Sequence, residues 1–126
     1  VLIVGESGTG KSTLFRAIAG LWPWGSGTIR VPERSHMMFM PQRPYLPLGT
    51  LRAAVAYPAA AKNFTDAALI KALETAGLPH LAIRLDEEER WDRILSLGEQ
   101  QRLAFARLLL QRPRWVFMDE ATAALD

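Results

Sequence analysis

With 126 residues, 49% of them hydrophobic, the chain is long enough for one buried core. It has no cysteine, which excludes a disulfide scaffold and a thiolate metal site. The formal charge is only +2, with basic residues scattered rather than clustered, so no nucleic-acid or membrane-surface patch is marked, and no apolar stretch approaches a membrane span.

The first element in the chain is the most informative. Residues 1–4 form an apolar run that reads as a buried strand and breaks into Gly5-Glu-Ser-Gly-Thr-Gly-Lys-Ser12, which satisfies G-x-x-x-x-G-K-[ST]. Successive backbone N–H groups can wrap a phosphate chain only where no Cβ intervenes, so Gly5, Gly8 and Gly10 stand at the positions of closest approach. A helix over residues 11–21, with Leu14, Phe15, Ile18 and Leu21 at helical spacing, points the positive end of its dipole at the same anion. Lys11 supplies a point charge for the outer phosphates, and Ser12 a hydroxyl ligand for Mg2+.

Glycine and proline at Trp22-Pro-Trp-Gly-Ser-Gly27 end this helix. Short strands are expected over residues 28–31 and 36–40, followed by a proline-rich ordered loop over 41–49. Thr50 is a good N-cap for a helix over 51–57. A second helix, over 65–76, is stopped by Gly77. Asn63-Phe-Thr65 matches the glycosylation acceptor pattern but reads as capping chemistry. The acidic cluster at 86–90 reads as a solvated face.

The last third leads through Leu95-Ser-Leu-Gly-Glu-Gln-Gln-Arg102 into a helix over 99–111 that is apolar around most of its circumference, hence buried between layers, and is ended by Pro113. A four-residue apolar strand over 115–118 then delivers Asp119 and Glu120 at its C-terminal end, where ligands bind in open α/β sheets. Asp119 would hold the Mg2+ shell and Glu120 could take a proton from an attacking water. The chain begins inside one expected strand and stops just after another, which reads as a piece of a longer nucleotide-hydrolysing domain.

In order and over nearly its whole length, the chain resembles the ATP-binding domain of ABC transporters. Gly5 to Ser12 matches the Walker A loop, Gln42 the Q-loop glutamine, Ser96, Gly98 and Glu99 the signature, Met118-Asp-Glu120 Walker B, and Ala121-Thr-Ala-Ala-Leu-Asp126 the D-loop. Several phrases look most like the branch of peroxisomal fatty-acyl transporters and bacterial fused permease-ATPases. Leu97, Glu99 and Ala123 depart from the family's glycine, glutamine and serine. The switch histidine and the adenine-stacking aromatic are absent, since His36 and His80 precede the signature.

The resemblance implies an α/β fold: an incomplete P-loop NTPase core with a mostly parallel sheet, formed by residues 1–42 and 98–126, and a helical subdomain with the signature over 43–97. It implies ATP and Mg2+ as cofactors. Gly5, Ser7, Gly8, Thr9, Gly10, Lys11, Ser12 and Thr13 would contact the nucleotide, and Ser96, Gly98 and Glu99 would close over ATP held by a second copy. Ser12, Gln42 and Asp119 would serve the metal, and Glu120, Gln42 and Lys11 the chemistry. Partners implied are a second ATP-binding domain, head to tail, and a transmembrane permease domain fused upstream, with no nucleic acid. The place implied is the cytoplasmic face of a bacterial inner or peroxisomal-type membrane. The isolated piece is expected to be inactive. Ser96-Leu-Gly-Glu99 is also a capping-box pattern, so the signature serine has a second candidate role beside the one toward a partner's ATP that the resemblance favours. A soluble ABC-type ATPase working on nucleic acid or ribosomes, or a module that only binds nucleotide, would carry the same motifs.

Overall fold

The computed structural model describes residues 1–6 and 8–119. The first helix, α1 (Lys11–Ile18), is shorter than its apolar spacing suggests. Gly20 adopts φ +80, and Leu21 N–H reaches Arg16 O at 2.8 Å while Gly20 N–H reaches Ala17 O at 3.1 Å. This paired closure stops the helix before Leu21, which is left exposed. The strand β1 (Met37–Met40) then pairs in parallel with β4 (Trp115–Met118), in the register Met37↔Trp115 to Met40↔Met118.

The sequence also suggests strands at 1–4 and 28–31, and the structure corrects both. Neither is a strand, and Val1, Leu2, Val4, Ile29 and Val31 are exposed. Apolar β-branched residues supply propensity, but a strand exists only when a neighbour completes its hydrogen bonds. The β1–β4 ladder takes up neither segment.

Between the two strands of the parallel pair, the chain builds a helical unit. A two-residue strand β2 (Gly49–Thr50) lies antiparallel to β3 (Glu88–Glu89). Helices α2 (Leu51–Ala56), α3 (Asp66–Thr75), α4 (Trp91–Ile94) and α5 (Leu97–Gln111) enclose most of the core, which includes Leu51, Val55, Leu69, Leu73, Leu78, Leu81, Trp91 and Leu103. The expected caps form: Thr50 Oγ1 accepts from Ala53 N–H and Thr65 Oγ1 from Ala68 N–H, both at 3.2 Å. Thr65 therefore acts as a helix cap, as the capping reading of Asn63-Phe-Thr65 expects. Gly77, at φ +84, closes α3 by placing Leu78 N–H 2.8 Å from Leu73 O.

The acidic stretch is the solvated face its composition suggests, exposed throughout residues 86–90, and it carries surface ion pairs. Asp86 takes a two-pronged contact from Arg52, at 3.0 and 3.3 Å, and Glu87 pairs with Arg84. Arg52 also holds Asp66 at the start of α3, and these two carboxylates raise its pKa.

Helix α5 lies between two apolar layers, as its composition suggests. Leu103 and Ala106 face the helical core, and Ala104 with Phe105 and Leu108 faces Met40 of β1. Its buried polar residues, Gln100, Gln101 and Arg107, are all hydrogen-bonded. Burial pushes the Arg107 guanidinium down to about 10, partly offset by Tyr57, so it stays charged near neutrality. The sheet is joined to α1 by an aromatic column: Phe15 meets Phe39 edge-on at 5.5 Å, and Phe39 stacks on Phe117 at 5.0 Å.

Leu103 is fully buried where α5 meets the helical core. Leu103→Ala should cost ~2–5 kcal/mol in urea unfolding, whereas Thr65→Ala, which removes only a cap, should cost ~1 kcal/mol. Comparable losses in the two variants would contradict this placement of the core.

Candidate functional site

The loop from Gly5 to Ser12 is shaped by its glycines; Ser7 lies outside the described residues. Gly8 and Gly10 have φ +83 and +98, conformations that side-chain-bearing residues rarely adopt. Among the described residues a Cβ built on either meets nothing within 4 Å, so the space beside these two glycines is open. At Gly5 the constraint is proximity, because a Cβ there would stand 3.0 Å from Thr9 Oγ1. That hydroxyl instead donates to Glu6 O at 2.8 Å, bracing the turn from inside. Lys11 folds back across the loop, and Nζ donates to Gly5 O and, at 3.0 Å, to Glu6 O.

Helix α1 begins at Lys11 with Gly10 as its N-cap, and no side chain caps it among the described residues. Its first N–H groups therefore face outward without an internal acceptor from the cap. Uncapped donors, a dipole and a nearby ammonium are together the groups that suit an anion. Thr13 lies in the same first turn and is half-buried.

The opposite wall comes from the parallel sheet. Asp119 follows β4 directly, and its N–H extends the ladder by donating to Met40 O at 3.0 Å. Its Oδ2 accepts from Ser12 Oγ at 3.0 Å, across 107 positions of sequence. Adjacent oxygens on an octahedral Mg2+, at ~2.1 Å from the ion, lie about 3.0 Å apart, so this pair has the spacing of two neighbouring ligands. Among the described residues no cluster of three acidic or histidine side chains competes as a metal site. A single carboxylate with a hydroxyl suits Mg2+, which completes its shell with phosphate oxygens and water.

Of the other expected residues, Gln42 leaves the sheet two positions after Met40, at the end that also carries Asp119. Among the described residues its side chain makes no hydrogen bond to Ser12 or Asp119. Its backbone carbonyl, however, is held by Gln101 Nε2 at 2.8 Å. Glu120 and residues 121–126, including Ala123, lie outside the described residues.

The structure realises the capping box at the signature. Ser96 Oγ accepts from Glu99 N–H, and Glu99 Oε1 accepts from Ser96 N–H, both at 3.1 Å. Accepting this bond leaves the Ser96 hydroxyl proton available for donation. Gly98 has no positive φ, and a Cβ on it would meet only Ser96 Oγ at 4.0 Å. Among the described residues nothing requires glycine there, which leaves an open backbone approach beside the helix N-terminus. No hydrogen bond joins Ser96, Gly98 or Glu99 to the phosphate loop among the described residues. His80 Nε2 lies 3.1 Å from Glu99 Oε2, a contact that sequence spacing did not reveal.

Comparison with known proteins gives these motifs a family. The model of the ABC transporter family matches residues 1–123. The chain belongs to the ABC transporter family. An uncharacterized ABC transporter ATP-binding protein of Synechocystis is 53% identical over 129 residues, covering 100% of this chain and 20% of that protein. Human ATP-binding cassette sub-family D member 3 is 41% identical over 134 residues, again covering 100% of this chain and 20% of that protein. The chain thus spans about a fifth of the length of the curated relatives it matches. Among solved structures, a bacterial Atm1-family ABC exporter with ATP bound matches with a TM-score of 0.77 and 29% identity, over 97% of this chain and 24% of that one. The expected α/β P-loop fold class agrees with this likeness, and the resemblance read from the motifs is that of the family itself.

The Ser96 backbone N–H, with further help from His80, holds the Glu99 carboxyl below its usual range against the opposing effect of burial. A depressed carboxyl contributes stability above its unfolded pKa, about 4.3, and loses it as pH falls through the folded value. The stability advantage of the native chain over Glu99→Gln should therefore be present at pH 7 and shrink below about pH 4.3. Urea midpoints of both proteins across that range provide the check; a difference that does not change with pH would contradict it.

Proposed function

We propose that this chain is the ATP-binding part of an ABC transporter, which binds ATP with Mg2+ and, in the full-length protein, hydrolyses it to drive transport across a membrane. The observation that carries the reading is the 3.0 Å approach of Ser12 Oγ to Asp119 Oδ2 at the mouth of an uncapped helix lined by left-handed glycines. Gly5, Ser7, Gly8, Thr9 and Gly10 wrap the phosphates through backbone N–H groups, with Ser12 and Thr13 in the first helical turn. Lys11 exchanges its loop carbonyls for the outer phosphate oxygens. Ser12, Asp119 and Gln42 would hold Mg2+, which when bound neutralises charge on the phosphate oxygens. Glu120, next to Asp119 in sequence, takes a proton from the attacking water.

The open backbone at Gly98 and the free proton of Ser96 support a second engagement, with ATP held by another copy of this domain. Glu99 positions Ser96 through the capping box in this reading. The division into a P-loop core, residues 1–42 and 98–126, and a helical subdomain with the signature, residues 43–97, is supported by two separate apolar clusters meeting along α5. Among the described residues no helix is long and apolar enough to cross a membrane. The partners in this reading are a second ATP-binding domain and a transmembrane permease domain. The exporter likeness supports a membrane-associated site of action over work on nucleic acid. The cytoplasmic face of a bacterial inner or peroxisomal-type membrane is the place proposed.

In the full-length protein, Lys11→Ala should weaken Mg-ATP binding at least tenfold, since a charge-assisted contact worth ~1.5–3 kcal/mol is lost. Glu120→Gln should keep binding while turnover falls by about 10²-fold or more, because only the proton acceptor is removed. Equilibrium nucleotide binding and steady-state phosphate release separate the two. Wild-type affinity and turnover in Lys11→Ala would sink the phosphate-loop assignment.

A further inference from the structure

The segment between β1 and β2 is poor in internal hydrogen bonds for a reason visible in its sequence. Pro41, Pro44 and Pro47 have no N–H, and among the described residues no backbone group of residues 41–48 joins a backbone–backbone bond. Its carbonyls must find donors elsewhere or go unpaired. Helix α5 supplies them from its side chains. Gln101 Nε2 donates to Gln42 O at 2.8 Å, and Arg107 donates to Tyr45 O at 2.8 Å and to Ala54 O at 2.9 Å. Gln111 Nε2 donates to Ala56 O at 2.8 Å and Tyr57 O at 3.0 Å. Three polar side chains of one helix thus hold the 42–57 segment against α5. Gln101 and Arg107 are both buried, at 6% exposure, so water competes poorly for these bonds.

Gln101 is the member of this row that reaches Gln42. It stands about 7.5 Å along the helix axis from Ser96, on the same rigid element. We propose that Gln101 is a positioning residue for Gln42: its carboxamide ties the main chain of Gln42 to the signature helix, so that the two motifs are displaced together. This rests on the reading of Gln42 and the signature given above. Gln42's own side chain stays free to turn toward the Ser12–Asp119 pair, because the tether is made through its backbone carbonyl. When α5 moves as a second copy engages Ser96 and Gly98, the attachment point of Gln42 moves with it. Among the described residues this is the one hydrogen bond that holds the main chain of Gln42 itself, so its loss frees Gln42 while Arg107 still ties Tyr45 to α5.

The test uses the full-length protein with Gln101→Met, which keeps side-chain length without a donor, Gln42→Ala, and the double variant. Gln101→Met should lower kcat at saturating Mg-ATP by roughly three- to tenfold while leaving nucleotide Kd within about twofold. In the Gln42→Ala background, measured on residual turnover, the same change should have no further effect, because the group it positions is gone. A merely structural role would give the same fold-loss in both backgrounds, and that result overturns the proposal. So does a Gln101→Met protein with wild-type kcat, or a loss confined to Kd. Should Gln101→Met not accumulate folded, Gln101→Asn, one methylene too short to reach Gln42 O, carries the same expectations. Wild-type turnover in Gln42→Ala overturns the reading of Gln42 and the proposal with it. An impaired Gln42→Ala beside a silent Gln101 variant overturns the proposal alone.

Discussion

The parallel pairing of Met37–Met40 with Trp115–Met118 is the constraint on which the site depends. Parallel strands cannot be joined by a tight turn, so everything between them must return the chain to the same end of the sheet. Their register sets Asp119 one step beyond Met118, where its N–H donates the last ladder bond to Met40 O. The stacked Phe39 and Phe117, with Phe15 set edge-on, then dock α1 on the same pair. Ser12 is carried to Asp119 by that docking. A shift of one residue in the register would turn Phe117 to the other face and remove Asp119 from reach of Ser12.

The second organising element is α5, which serves two environments at once. Small and aliphatic residues on two of its sides join the helical core to β1, while its polar residues are buried because the neighbouring segment lacks donors of its own. Burying glutamine and arginine is costly when they are unpaired, and here each is paired with a backbone carbonyl. The helix start is occupied in a different way. The Ser96–Glu99 box satisfies the first turn internally, while Gly98 leaves a backbone face open, so a local stabilising motif and an outward-facing surface occupy the same four residues.

Chemistry borne by local spacing was legible from the residues. The glycine turns before α1, the caps at Thr50, Thr65 and Ser96, the stop at Gly77 and the strand that ends at Asp119 all depend on neighbours within a few positions. Failures came where a partner distant in sequence decides the outcome. Residues 1–4 and 28–31 have strand composition, yet no strand lies beside them in the ladder. The helix expected to reach residue 21 stops early because Gly20 closes it, a competition that apolar spacing cannot weigh. His80 beside Glu99 and Gln101 beneath Gln42 went unread because nothing in a one-dimensional pattern pairs them.

Sequence alone supplied the candidate groups for a phosphate and its metal: glycines where φ must be positive, a lysine and a hydroxyl, and, for the metal, a carboxylate at a strand's end, each marked by covalent geometry and charge. Tertiary structure decided which of those atoms meet each other. Ser12 reaches Asp119 because an aromatic column docks a helix on a parallel pair. Gln42 is tied to α5 because three prolines deprive its loop of donors and a buried glutamine supplies one. These are long-range choices set by burial and hydrogen-bond satisfaction, which depend on the folded surroundings of each group and not on its neighbours in the chain.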